Sequence, residues 1–157
     1  MDSRGPSIRS TRCPANAGKS ILVVEDDLQL GELFQTVLEG VGCKVSLAVD
    51  GQAALDIFRR ALGVGEPFDL VLMDLNLPVM DGRQCLGRLL LLDPTVPILI
   101  TTGDPDEEFA SLEHLVAGVL EKPIGLSELM REVSRALGQE LTICPPSPRR
   151  PTLEQAG

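Results

Sequence analysis

Glu25 and Asp26 follow directly on the apolar run ILVV, Asp74 closes the run LVLMD, Thr102 lies in PILITT, and Lys122 precedes Pro123. Three carboxylates brought together repel one another and persist only if protonated or neutralised. A hard divalent cation neutralises them. Mg²⁺ characteristically takes one or two carboxylates, keeps some water and leaves room for phosphate oxygens. A lysine adds a point charge and a threonine hydroxyl adds a donor. Together these residue types can cradle a phosphoryl group in transfer, with Asp74 as the nucleophile.

Such residues lie far apart in the chain, so a fold must return each of them to one edge. Short β-branched runs alternate with helical patterns, which predicts strands over 20–25, 44–49, 69–73, 97–101 and 118–121. LVLMD and PILIT are continuously apolar, as strands buried on both faces are. Helical periodicity predicts 28–41, 52–62, 83–92 and 126–137. The first places Leu30, Phe34, Val37, Leu38 and Val41 on one face, and the last does so with Leu126, Leu129, Met130, Val133 and Leu137. The leucine run 89–92 reads as core helix. A shorter fourth helix is expected after Asp104, which can cap it, with Pro105 first and Glu107 at capping-box spacing. Five βα units imply an α/β fold, a parallel sheet with helices on both faces. Ligands of such sheets bind beyond the carboxyl ends of the strands. Glu25, Asp26, Asp74, Thr102 and Lys122 all fall at that edge.

The 157 residues suit one domain, with expected tails at 1–19 and 139–157 around a domain at 20–138. With four Phe and neither Trp nor Tyr, the core must be aliphatic. No apolar stretch has the length of a membrane span, and the start has no apolar segment of a secretory signal. A cytoplasmic protein without membrane contact is expected. Cys13, Cys43, Cys85 and Cys144 form no CxxC pair and read as free thiols, Cys43 and Cys85 as small core residues. The lone His114 has no ligand partner at helical spacing. NAGKS resembles the end of a P-loop, but GKS precedes the strand instead of following it. Net charge is −9, and Arg4, Arg9, Arg12 and Lys19 make the first tail basic, so the acidic excess lies in the middle. An acidic surface repels phosphate backbones, so no nucleic-acid partner is expected there.

The acidic pair Glu25-Asp26, Asp74 before LNLPVMDG, Thr102 and Lys122-Pro123 stand in one order, and over 20–138 the chain resembles a response-regulator receiver domain of two-component signalling. The resemblance implies a flavodoxin-like, doubly wound sheet of strand order 2-1-3-4-5. It implies that Asp74 accepts a phosphoryl group from a histidine kinase, a histidine phosphotransfer protein or a small phosphodonor. Asp26, Asp74 and the backbone carbonyl of Asn76 would hold Mg²⁺ directly, and Glu25 would help through water. Thr102 would bind a phosphoryl oxygen, Lys122 would pair with the phosphate, and the Lys122–Pro123 bond would be cis. Asp27, just outside the pair, is expected to cap the first helix.

Two features depart from the family pattern. The segment between Thr102 and Lys122 is short, and Val119 stands where an aromatic switch residue is usual. After Gln139 only a Pro-rich tail is expected, with no output domain. The expected function is a stand-alone receiver, a phosphorylation-controlled protein–protein switch with an unidentified downstream protein or a phosphorelay intermediate. A terminal receiver of a hybrid histidine kinase is a close variant, and a degenerate, non-phosphorylated interaction module is a separate class. A haloacid-dehalogenase-type phosphatase would need a second Asp two residues after Asp74, where Asn76 stands.

Overall fold

The computed structural model describes residues 18–104, 110 and 112–138. Five strands form one sheet: β1 (Ser20–Val24), β2 (Lys44–Ala48), β3 (Leu70–Asp74), β4 (Ile98–Thr102) and β5 (Gly118–Glu121). All neighbours pair in parallel, in the order β2-β1-β3-β4-β5. The helices are α1 (Leu28–Gly40), α2 (Gly51–Gly63), α3 (Gly82–Leu92) and a C-terminal helix (Leu126–Leu137). A 3₁₀ turn, Glu113–Leu115, precedes β5 and carries an exposed His114. The fourth helix expected after Asp104 and the tail 139–157 lie outside the described residues. So does the first tail, apart from Gly18 and Lys19. The Lys19 carbonyl already accepts from Lys44 N at 2.7 Å.

Alternation along the strands explains the two helical layers. Side chains two apart share a face. Leu22, Val24, Val71, Met73, Ile98 and Ile100 therefore pack with Ala54, Leu55 and Phe58 of α2 and Cys85, Leu86 and Leu89 of α3. Ile21, Val23, Leu70, Leu72, Leu99 and Leu120 pack on the other side, against Phe34 and Leu38 of α1 and Leu129 and Val133 of the C-terminal helix. Both described cysteines are buried free thiols, as their apolar setting predicts.

Aspartates start three helices. Asp27 accepts from Gln29 N and Leu30 N at 3.0 and 3.2 Å, Asp50 from Ala53 N at 2.7 Å, and Asp81 from Arg83 N at 3.0 Å. Each satisfies a donor that has no partner inside its helix. At the other end, Gly138 closes the C-terminal helix with φ 66, a backbone state that suits glycine.

Several boundaries and faces differ from expectation. β3 and β4 each begin and end one residue later than predicted. Pro97 has no N–H to give to the ladder, so it offers only its carbonyl, to Val71 N at 3.0 Å, and β4 starts after it. The leucine run is not all core. Leu89 is buried, but Leu91 is 85 % exposed, because a run of four leucines must circle a helix with 3.6 residues per turn. Leu126 is likewise exposed at the first position of its helix.

Candidate functional site

The acidic cluster forms where β1 and β3 end side by side. Glu25 is the first residue beyond β1, and its N–H donates to the Ala48 carbonyl at the end of β2 at 3.0 Å. This bond continues the pairing with β2, and Glu25 is only 2 % exposed. Its Oε1 accepts from Asp27 N at 3.2 Å and its Oε2 from Lys122 Nζ at 3.1 Å. Asp74 closes β3 and is also buried. Its Oδ1 accepts from Asn76 N at 2.9 Å, and its Oδ2 from Lys122 Nζ at 2.8 Å. Asp26 is exposed, and one carboxylate oxygen each from Glu25, Asp26 and Asp74 lies within 4.8 Å of the other two.

Two further strands bring the remaining polar groups. Thr102 is the last residue of β4 and is buried, and its hydroxyl oxygen accepts from Asp104 N at 3.2 Å. Lys122 follows β5 directly, and its N–H donates to the Thr102 carbonyl at 2.8 Å. Its peptide bond to Pro123 is cis. Asn76 lies exposed two residues past Asp74. The residues expected at the edge thus stand there, and Asp27 serves as the helix cap.

The electrostatics follow from one cation among three acids. Burial, with the charge of Asp74 adding to it, pushes Glu25 up to about 7, although Asp27 N–H and Lys122 hold it down. Burial works to lower Lys122, but its hydrogen bonds to Asp74 and Glu25 outweigh that and hold its ammonium above the usual range. One ammonium leaves the cluster with an acidic excess. The sequence did not predict the Lys122–Glu25 bond, because nothing local marks that pairing. The groove lined by Ser20, Lys44, Ile57, Arg60, Phe68 and Asp69 lies at the amino ends of β1 and β2, the opposite edge of the sheet from Glu25, Asp26 and Asp74.

Residues 21–134 match the response regulator receiver domain. The chain belongs to that family. Among curated relatives, the transcriptional regulatory protein ZraR of Escherichia coli K12 is 36 % identical over 126 residues, covering 78 % of this receiver and 27 % of ZraR. The transcriptional regulatory protein CutR of Streptomyces coelicolor is 34 % identical over 139 residues, covering 87 % of the receiver and 59 % of CutR. The receiver chain therefore spans only part of either relative. Among solved structures, the CheY-like receiver domain protein of Methanospirillum hungatei superposes with TM-score 0.71 at 27 % identity, covering 78 % of this chain and 95 % of that one. Vibrio cholerae chemotaxis protein CheY4 gives TM-score 0.69 at 26 % identity, covering 77 % and 100 %. Among the described residues no helix is long and apolar enough to cross a membrane.

Two close contacts of the loop after β3 were not expected from the sequence. Gly82 stands where a Cβ would come within 2.5 Å of the Leu75 carbonyl and 2.8 Å of the Asp74 carbonyl, so only glycine lets α3 begin against the Asp74 backbone. Met80 is buried against Gly51 at the start of α2. The pair Asp81-Gly82, an N-cap followed by glycine, was the available signal for the first. Met80 carried none.

Proposed function

We propose that this receiver takes a phosphoryl group from a phosphohistidine onto Asp74 and signals through a change in protein–protein contacts. The single observation that carries this is Lys122 Nζ bonded to both Asp74 and Glu25, with Asp26 completing the acidic cluster. An oxygen of Asp74 attacks phosphorus, the phosphorus–nitrogen bond breaks, and its electron pair returns to the imidazole. Charge then builds on the phosphoryl oxygens. Lys122 answers it with its ammonium and Thr102 with its hydroxyl proton, whose oxygen is already oriented by Asp104 N–H.

The donor set suits Mg²⁺. All three side chains are carboxylates, hard oxygen ligands, and one lysine leaves them under-neutralised. Asp26, Asp74 and the Asn76 carbonyl would hold the ion, with Glu25 acting through water, and the ion would offset negative charge on the phosphoryl oxygens. The donor would be a histidine kinase or histidine phosphotransfer protein, in the cytoplasm. ZraR and CutR are named as transcriptional regulators; in this chain the downstream partner is proposed to be a protein.

Phosphotransfer from a panel of phosphorylated histidine kinases and phosphotransfer proteins tests the reading. One phosphoryl group per chain, with rapid depletion of one donor, supports it. Steady turnover of a phosphate ester instead would assign a phosphatase. Failure of every donor, together with unphosphorylated binding to a partner, would assign a constitutive interaction module.

A further inference from the structure

The loop between β3 and α3 is held in an unusual way. Val79 has φ 69, and it alone has positive φ among the described residues other than glycine. A branched side chain is poorly suited to that region. Met80 N donates to the Pro78 carbonyl at 2.7 Å, which closes a three-residue γ-turn about Val79. Val79 itself is 87 % exposed and so gains nothing from packing. Its neighbours hold the turn. Leu75 and Met80 are buried in the core under α2 and α3, and Leu77 packs against it.

Met80 fits that core because Gly51 lacks a side chain. A Cβ at Gly51 would stand 3.0 Å from Met80 Cβ and 3.3 Å from its Sδ. The loop is therefore pinned on both sides of Asn76. On the strand side, Leu75 N donates to the Thr101 carbonyl at 3.1 Å, and Gly82 N donates to the Leu75 carbonyl at 3.1 Å. On the far side, Leu77 packs against the core and the buried Met80 side chain is seated beyond the Val79 turn.

We infer that Met80 is a positioning residue for the acidic site, seated against Gly51 and acting through the Val79 turn to hold Asn76 and Asp74 ready for the cation. This rests on the reading of Asn76 and Asp74 as Mg²⁺ ligands. Strained backbone persists only where its surroundings impose it. Without the anchor the turn relaxes and the ligand-bearing loop shifts.

Mg²⁺ binding by isothermal titration calorimetry to the folded full chain tests the inference in wild type, Met80→Ala, Val79→Gly and the double variant. Met80→Ala should bind Mg²⁺ about tenfold more weakly, the loss typical of groups that support a metal's ligands. Glycine tolerates positive φ, so Val79→Gly added to Met80→Ala should restore part of that affinity. If Met80→Ala does not fold, Gly51→Ala, which pushes Met80 outward, should show the same several-fold weakening. Wild-type affinity in a folded Met80→Ala or Gly51→Ala protein would overturn the inference. So would a weakening that Val79→Gly fails to relieve, since it would reflect lost packing alone. A wild-type protein that does not bind Mg²⁺ would instead overturn the reading of the site itself.

Discussion

Lys122 reaches back across the sheet to Asp74, placing its ammonium nitrogen 2.8 Å from the carboxylate that ends β3. The same nitrogen lies 3.1 Å from Glu25. The lysine therefore holds two acids that β1 and β3 bring together, and anything that changes the charge of this group should be felt in the fold.

Glu25 gives this a pH signature. Its pKa stands near 7 in the fold against an ordinary 4.5, with burial as the main cause. Between those values the folded chain keeps a proton that the unfolded chain has released. Glu25 therefore favours folding at the acid end of this window, and that contribution is lost as pH rises through about 7. Denaturant titrations without Mg²⁺ should show it, and Glu25→Gln should flatten the slope relative to wild type. Equal slopes in the two proteins would contradict it. Mg²⁺ should also displace this proton, so its affinity should fall as pH drops below 7.

Adjacent acids should behave differently. Asp26 belongs to the carboxylate cluster, whereas Asp27 caps α1. Asp26→Ala should weaken Mg²⁺ binding strongly and leave stability nearly unchanged. Asp27→Ala should cost about 1 kcal/mol of stability and leave Mg²⁺ binding in place. Calorimetry and urea unfolding on both variants would expose the reverse order.

Two apolar residues make a matching pair on the stability side. Phe58 is fully buried and stacks on Phe68 with ring centroids 6.0 Å apart. Phe58→Ala should cost about 3–5 kcal/mol in urea unfolding. Leu91→Ala, at an exposed position, should stay within about 0.5 kcal/mol of wild type. A large cost at Leu91 would mean that its side chain is covered in solution.

Much of this could be read from the sequence, and the failures have physical causes. Runs such as LVLMD can be buried on both faces only in a sheet clad by helices, which made the architecture legible. The acids and the lysine stood at strand ends, so their convergence followed from the parallel topology. The Lys122–Glu25 bond did not, because the order of strands in space decides which ends meet. Leu91 was misassigned because four consecutive leucines carry no periodicity. The turn at Val79 and the seat of Met80 could not be read from LNLPVMDG, because Met80 packs where Gly51, twenty-nine positions earlier, lacks a Cβ.

Val119 bears on how the signal leaves the site. It is half-buried on β5 and packs against the core under α2 and α3. A valine that changes rotamer displaces little surface. Val119→Ala should therefore preserve phosphorylation-dependent partner binding. Hydrogen exchange with and without beryllofluoride should change in residues 103–116. Changes confined to β5 would put the switch at Val119 after all.

Everything proposed for the site depends on Asp74 accepting the phosphoryl group. Intact-protein mass spectrometry after acetyl phosphate or phosphoramidate treatment, with and without Mg²⁺, measures it directly. A single phosphoryl adduct that requires Mg²⁺, maps to Asp74 and disappears in a folded Asp74→Ala variant is expected. An adduct undiminished in that variant would contradict it.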